Sequence, residues 1–257
     1  MNFNGKSVSG YVKDPSDLTI YWEKEIDGLI FMLDYLTELF PHMPICDLRI
    51  GRSIEDTETV IEWINKRDEP EVERCSLCYS DTARDVSNIL DNVNITSVLE
   101  IFMKLPEDFK CDLLQNLKLF GCAHAKWISR DQLFQMNYEQ IDLRETNFKN
   151  RDISDLVNKI MNGDLSAIRF CNIVLVSPRM DEIVSGINYE KVPSQLNCYL
   201  RPTKYGRHSF NVYGVYDYER ADGKIVSICS GFPDSITRNI MIFVRSKTEP
   251  LELLNLN

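Results

Sequence analysis

The sequence predicts an α/β fold: a leucine-rich-repeat-like stack of parallel strands and helices, closed by a small C-terminal antiparallel β-sheet. Three observations predict it. Short apolar pairs with one residue between their members recur from about residue 44, helix-start signals fall between the pairs, and strict apolar-polar alternation replaces both after about residue 185. The pairs are Leu48 and Ile50, Cys75 and Leu77, Leu99 and Ile101, Leu117 and Leu119, Ile141 and Leu143, and Ile168 and Phe170. Their first members step by about 27, 24, 18, 24 and 27 residues, against roughly 20 to 29 for leucine-rich-repeat units, so one step is short.

Residues 1–43 precede the repeat. Leu18, Ile20 and Trp22 alternate with Thr19 and Tyr21, which predicts a short strand. Ile26, Leu29, Ile30, Leu33, Leu36 and Phe40 then recur at steps of three and four, one apolar face of a helix whose other side carries Glu23, Asp27, Asp34 and Glu38. This helix is a candidate cover for one end of the stack, because a terminal unit otherwise leaves its apolar layer wet.

Residues 44–185 are read as the repeats, each a strand with alternate side chains turned inward and a segment that covers that layer. After Ser53, Val60, Ile61 and Ile64 share one helix face. Ser129 and Gln132 stand at the spacing of a capping box, the hydroxyl accepting from the amide of Gln132 while Gln132 reaches back, so a helix carrying Leu133 and Met136 should begin there. Asn150 is expected to cap a helix with Ile153, Leu156, Val157 and Ile160, which Gly163 ends because glycine takes the left-handed conformation freely. The short third step contains Pro106, which argues for a loop in place of a full helix.

Inside each pair the middle residue must point away from the covered layer. Arg49, Ser76, Glu100, Lys118, Asp142 and Arg169 are therefore expected to form a mixed-charge ladder across an open sheet face. Such a face is either simply solvated or the surface on which a partner protein docks, the common use of a solenoid.

Residues 186–246 are expected to form the antiparallel cap. Alternation begins at Phe210, Asp222 and Gly223 separate two alternating runs as in a hairpin, and Asn239 to Val244 reads as a buried strand. The tail, residues 247–257, is expected to fray.

The 257 residues are 44% hydrophobic and 26% charged, an ordinary globular mix. A formal charge of -10 repels phosphate backbones and anionic lipid, so neither nucleic acid nor membrane is an expected partner. No apolar run reaches the roughly 20 residues of a membrane span, and the first residues lack the apolar centre of a signal peptide, so a cytoplasmic or nuclear location is expected. The eight cysteines sit within apolar runs and read as reduced, buried thiols. Cys75 and Cys78 are the one Cys-x-x-Cys pair. Only Cys122 and His124 could complete a zinc set, and strand alternation turns Cys75 and Cys78 to opposite faces, so no metal or other cofactor is expected.

Catalytic chemistry finds little support. The three histidines are His42, His124 and His208, and no glycine-rich phosphate cradle occurs. A cysteine hydrolase built on Cys122 and His124 is the enzyme-class alternative, but neighbours on one short segment seldom align thiol and imidazole for proton transfer. No catalytic residue is expected.

Several stretches carry a resemblance: Ile89 to Ile101, Leu105 to Lys110, Asp112 to Leu119, Ala125 to Leu133, Asn150 to Gly163, Tyr216 to Ile228 and Asn239 to Val244. Together, over about residues 40 to 245, they resemble the type 2 F-box-associated domain abundant in nematodes, with Trp127, Ile128 and the Asp222-Gly223 hairpin the most specific points. The resemblance implies a leucine-rich-repeat-like, non-catalytic receptor domain that holds a target protein. Typical members place it after an F-box, which binds a Skp adaptor and so joins a cullin-type ubiquitin ligase. No stretch here matches an F-box, and Ser7 to Pro15 with the following helix looks like the linker that family members place between the two domains. A Skp adaptor and a cullin are thus expected partners only if an F-box lies outside this chain. The alternative is a stand-alone interaction protein that binds targets without delivering them.

Overall fold

The structure is a computed structural model. It describes residues 2–3, 6–7, 9–14, 17–21, 24–51, 54–78, 83–187, 190–192, 196–203, 206–231, 237–248 and 253–254. In chain order these form β1 (Asn2–Phe3), β2 (Lys6–Ser7), β3 (Ser9–Asp14), β4 (Asp17–Tyr21), α1 (Glu25–Leu39), β5 (Leu48–Ile50), α2 (Ile54–Asn65), β6 (Glu71–Leu77), α3 (Ala83–Asn92) and β7 (Asn94–Ile101). Then follow β8 (Leu119–Cys122), a 3₁₀ turn (Ala125–Trp127), α4 (Arg130–Leu133), β9 (Gln140–Leu143), α5 (Asn150–Asn162), β10 (Phe170–Val176) and α6 (Met180–Ile183). The chain continues through β11 (Glu190–Val192), β12 (Leu196–Thr203), β13 (Gly206–Glu219), β14 (Lys224–Gly231), β15 (Thr237–Ser246) and β16 (Leu253–Leu254).

Strands β5 to β10 lie side by side in chain order, each parallel to the next. Parallel neighbours need crossover segments, and these supply α2, α3, α4 and α5. Between β7 and β8 the crossover is the irregular segment 102–118, as Pro106 leads one to expect. Its backbone is held by the next unit: Gln132 Nε2 donates to the Cys111 carbonyl at 3.0 Å and the Tyr138 hydroxyl to the Leu114 carbonyl at 2.6 Å. Trp127 packs edge-on against Phe109, ring centres 5.2 Å apart, a packing role.

The core lies between the sheet and the crossovers. Cys75 and Leu77, Leu99 and Ile101, Phe120 and Cys122, Ile141 and Leu143, and Cys171 and Ile173 face it from successive strands, meeting Ile61, Ile64, Val86, Ile89, Leu133, Leu156 and Ile160. The capping box at Ser129 is present, with Ser129 Oγ accepting from the Gln132 amide at 3.2 Å and Gln132 Oε1 from the Ser129 amide at 2.9 Å. Gly163 ends α5 with φ 87° as anticipated, and the Asp164 amide reaches back to the Lys159 carbonyl at 3.0 Å.

Other details differ from the sequence reading. Lys149, not Asn150, occupies the cap of α5, its amide donating to Asp152 at 2.9 Å; the Asn150 side chain accepts from the Arg179 amide and donates to Glu182. Helix α1 buries only Gly28 and leaves Leu29, Leu39 and Phe40 about half exposed. It joins the helical layer beside α2, where Trp63 Nε1 donates to Asp34 at 2.8 Å and Arg67 to Thr37 at 3.0 Å. The antiparallel strands are not a cover over an end: β15 pairs with β10 along seven positions, so β13, β14 and β15 continue the same sheet edge to edge. The Asp222-Gly223 hairpin joins β13 to β14, with Gly223 at φ 80°. In the tail, Leu253 and Leu254 pair with β12 where fraying is the expectation. The expected strand ending at Trp22 is β4, paired with β3; Trp22 itself, like Ser53, lies outside the described residues.

Candidate functional site: the open face of the parallel sheet

Registers across the sheet place one row on the face away from the helices: Arg49 beside Ser76, Ser76 beside Glu100, Glu100 beside Gly121, Gly121 beside Asp142, and Asp142 beside Asn172, with Ser76 and Asn172 buried. Four of the six ladder residues read from the sequence, Arg49, Ser76, Glu100 and Asp142, stand in this row. Lys118 and Arg169 do not. Each sits one residue before its strand, and Gly121 and Asn172 take the two positions. The physical cause is a three-residue offset. Leu117 and Ile168 are buried in the loops that lead into β8 and β10, so each makes an apolar pair with the residue two ahead. The inward residues are instead Phe120 and Cys122, and Cys171 and Ile173; an odd offset turns every side chain to the other face. Leu119 and Phe170 consequently belong to the other face, where the buried Phe170 packs at a tilt against the buried Phe243, ring centres 5.1 Å apart.

The row is knitted by its own hydrogen bonds. Arg74, one row along on β6, donates to Glu100 Oε2 at 2.6 and 3.2 Å, and the Ser76 hydroxyl donates to the same oxygen at 3.3 Å. Asn172 donates to Asp142 Oδ1 at 2.7 Å and Arg144 to Asp142 Oδ2 at 2.9 Å. Arg49 pairs with Asp47 at 3.0 Å and is the most exposed of these groups. The adjoining carboxylates raise the guanidinium pKa of both Arg49 and Arg144, through the hydrogen bond first and the charge second. The face thus presents fixed, charged and largely self-paired groups.

At its centre the face is hollow. A cavity of about 250 Å³ lies over β8, floored by Leu119, Gly121 and Ala123, with Glu100 and Phe102 on the β7 side and Gln140, Asp142 and Arg144 on the β9 side. The ladder runs one residue past the strands here, for Phe102, Ala123 and Arg144 donate their amides to Leu77, Ile101 and Cys122. These three therefore form a second row beside Glu100, Gly121 and Asp142. A wider hollow of about 710 Å³ lies on the helical side between segment 107–113 and α4. Its Ser129 and Gln132 are already engaged in the capping box.

Of the residues weighed for catalysis, Cys122 adjoins the hollow over β8 and His124 is paired with an acid. His124 Nδ1 lies 2.7 Å from Glu145 Oε2, a bond that lowers the Glu145 carboxyl pKa. Cys122 faces the core, and burial pushes its thiol up to about 11. Burial likewise pushes Cys75 up to about 12, while Cys78 lies just beyond β6. A thiol that stays protonated near neutrality is a poor nucleophile. Iodoacetamide at pH 7.5 is expected to label exposed Cys46 promptly and to leave Cys75 and Cys122 unlabelled until the chain unfolds, as read by peptide mass spectrometry. Early labelling of Cys122 would remove its place in the core. Among the described residues no three His, Cys, Asp or Glu side chains gather as metal ligands, and no helix is long and apolar enough to cross a membrane.

A chain-ordered parallel sheet, helices on one side and a polar, partly exposed row on the other, defines a class: a mixed α/β protein whose parallel sheet continues into antiparallel strands. The family described as F-box associated matches residues 108–173, which run from the segment before β8 to the middle of β10 and contain Gly121, Asp142, Arg144 and Asn172. The resemblance read from the sequence is therefore found, over a shorter span than 40 to 245. No curated protein and no solved structure is matched by this sequence.

Proposed function

We propose that the chain is a non-catalytic protein-recognition module, the part of an F-box ubiquitin ligase receptor that holds the target. The observation that carries this reading is the position of the F-box-associated match, which supplies the centre of the open face. The stack behaves in a leucine-rich-repeat-like way: the core anchors one side of each strand, and the other side is left for a partner. The target-binding surface is the accessible part of the row, Arg49, Glu100, Gly121 and Asp142 with Arg144 alongside, supported by the buried Ser76 and Asn172. A Skp adaptor and a cullin are partners only if an F-box lies outside this chain, and they would join through it, not through this surface.

Proximity labelling in the native cell tests the reading. The unaltered chain is compared with an Arg49→Glu, Arg144→Glu variant and with Lys118→Glu, which lies off the row. The double variant is expected to lose, at an unchanged melting temperature, a set of labelled proteins that Lys118→Glu keeps. A Skp adaptor and a cullin among the proteins labelled by all three would support attachment to a ligase. An identical set from the double variant would move the target surface elsewhere, and absence of both ligase components would leave an interaction module alone.

A further inference from the structure

We propose that the hollow over β8 is an anchor pocket for one aromatic side chain carrying a hydrogen-bond donor, a tyrosine or tryptophan of the bound target. The inference rests on the protein-recognition reading and specifies what that surface grips.

Gly121 motivates it. Glycine inside a strand weakens it, and is usually explained by a backbone that only glycine adopts or by something that approaches closely. The first explanation fails here, since Gly121 has no left-handed φ. Crowding fails too: a Cβ at this position would meet Glu100 Cγ at 3.5 Å and Leu119 Cδ2 at 3.9 Å, ordinary contacts. What the glycine does is leave space. With Ala123 next on the same face, it makes β8 a strip of small residues between two walls. The walls rise from β7 and β9, two strand spacings or roughly 10 Å apart.

The walls select the occupant. Phe102, 47% exposed, is among the described residues one of few large apolar side chains left in water, and it lines one wall. Arg144 lines the other, its guanidinium oriented by Asp142. A ring lowered between them meets an aromatic edge or face on one side and a cation on the other, both favourable for a π system. Among the described residues, Glu100 Oε2 receives the bonds from Arg74 and Ser76, which leaves Oε1 to accept from a phenol O–H or an indole N–H. A volume of about 250 Å³ is below the roughly 300 to 1,000 Å³ of small-molecule sites and suits a single side chain. Tyrosine and tryptophan are also the residues that most often dominate a protein interface from such a pocket.

The test is a library of random twelve-residue peptides displayed on phage, selected on the full chain and counter-selected on Gly121→Val. Valine fills the hollow at a position where the backbone accepts a side chain, so this variant is expected to melt at or above the temperature of the unaltered chain. The peptides kept by the chain and rejected by the variant are expected to share a tyrosine or tryptophan at one position. Replacing that residue by leucine should weaken a synthetic peptide at least tenfold, as should Phe102→Ala or Glu100→Gln in the protein. A selection that Gly121→Val leaves unchanged, a shared lysine, arginine or aliphatic residue, or no shared residue would overturn the pocket. None of these results touches the ligase reading, which is judged by the labelling of adaptor, cullin and targets.

Discussion

Phe120→Ala is expected to cost about 3 to 5 kcal/mol in urea denaturation, a large share of the roughly 5 to 15 kcal/mol that holds an ordinary domain folded. Phe120 is fully buried on β8 between Leu99 and Ile141, its side chain in the core. Removing the ring forfeits its transfer free energy and opens a cavity that two hydrogen-bonded neighbouring strands cannot close. Leu119→Ala, one residue away, is the control. Leu119 lies on the opposite face and is only half-buried, so roughly 1 kcal/mol is at stake. Leu143→Ala, fully buried on β9, falls with the phenylalanine variant at about 2 to 5 kcal/mol. Equal costs for Phe120 and Leu119 would refute the register of β8, and with it the row that contains Gly121.

Asp217→Ala is expected to cost about 3 kcal/mol, because it removes one member of a largely buried ion pair in the antiparallel part of the sheet. Arg245 on β15 reaches over β14 to Asp217 on β13, donating to Asp217 Oδ2 at 2.8 Å and to Ser227 Oγ at 3.2 Å on the way. Its side chain is only 11% exposed, so water does not replace the lost carboxylate. Adding Arg245→Met to Asp217→Ala should recover part of the loss, since an apolar side chain there has no charge to satisfy. A double-mutant cycle by thermal and urea unfolding measures the coupling. A near-zero coupling would mean that the pair is solvated.

Local signals were legible wherever neighbours in sequence are also the physical partners. The Ser129 capping box needs only Gln132, the turn at Gly223 only its own φ, and α5 shows its buried face through spacing alone. The row of the open face was legible at Arg49, Ser76, Glu100 and Asp142 because their apolar flanks admit one register. It failed at Lys118 and Arg169 because Leu117 and Ile168 are apolar for a different reason, burial in a loop. Gly121 carried no signal, since a glycine between Phe120 and Cys122 looks like any strand interruption until its neighbours on β7 and β9 are known.

From the chain alone came the alternation of strands and covering segments, the change to antiparallel strands toward the C-terminus, the place of the loop at Pro106 and the likeness of the central segment to the F-box-associated family. These follow from periodicity, turn chemistry and composition, which act over a few residues. Only the three-dimensional pairing decided which of two apolar pairs faces the core, that the C-terminal strands extend the sheet and do not cap it, and that a hollow opens over β8. Each depends on hydrogen bonds and contacts between residues about twenty or more positions apart, and a single residue's identity cannot encode which distant strand it will meet.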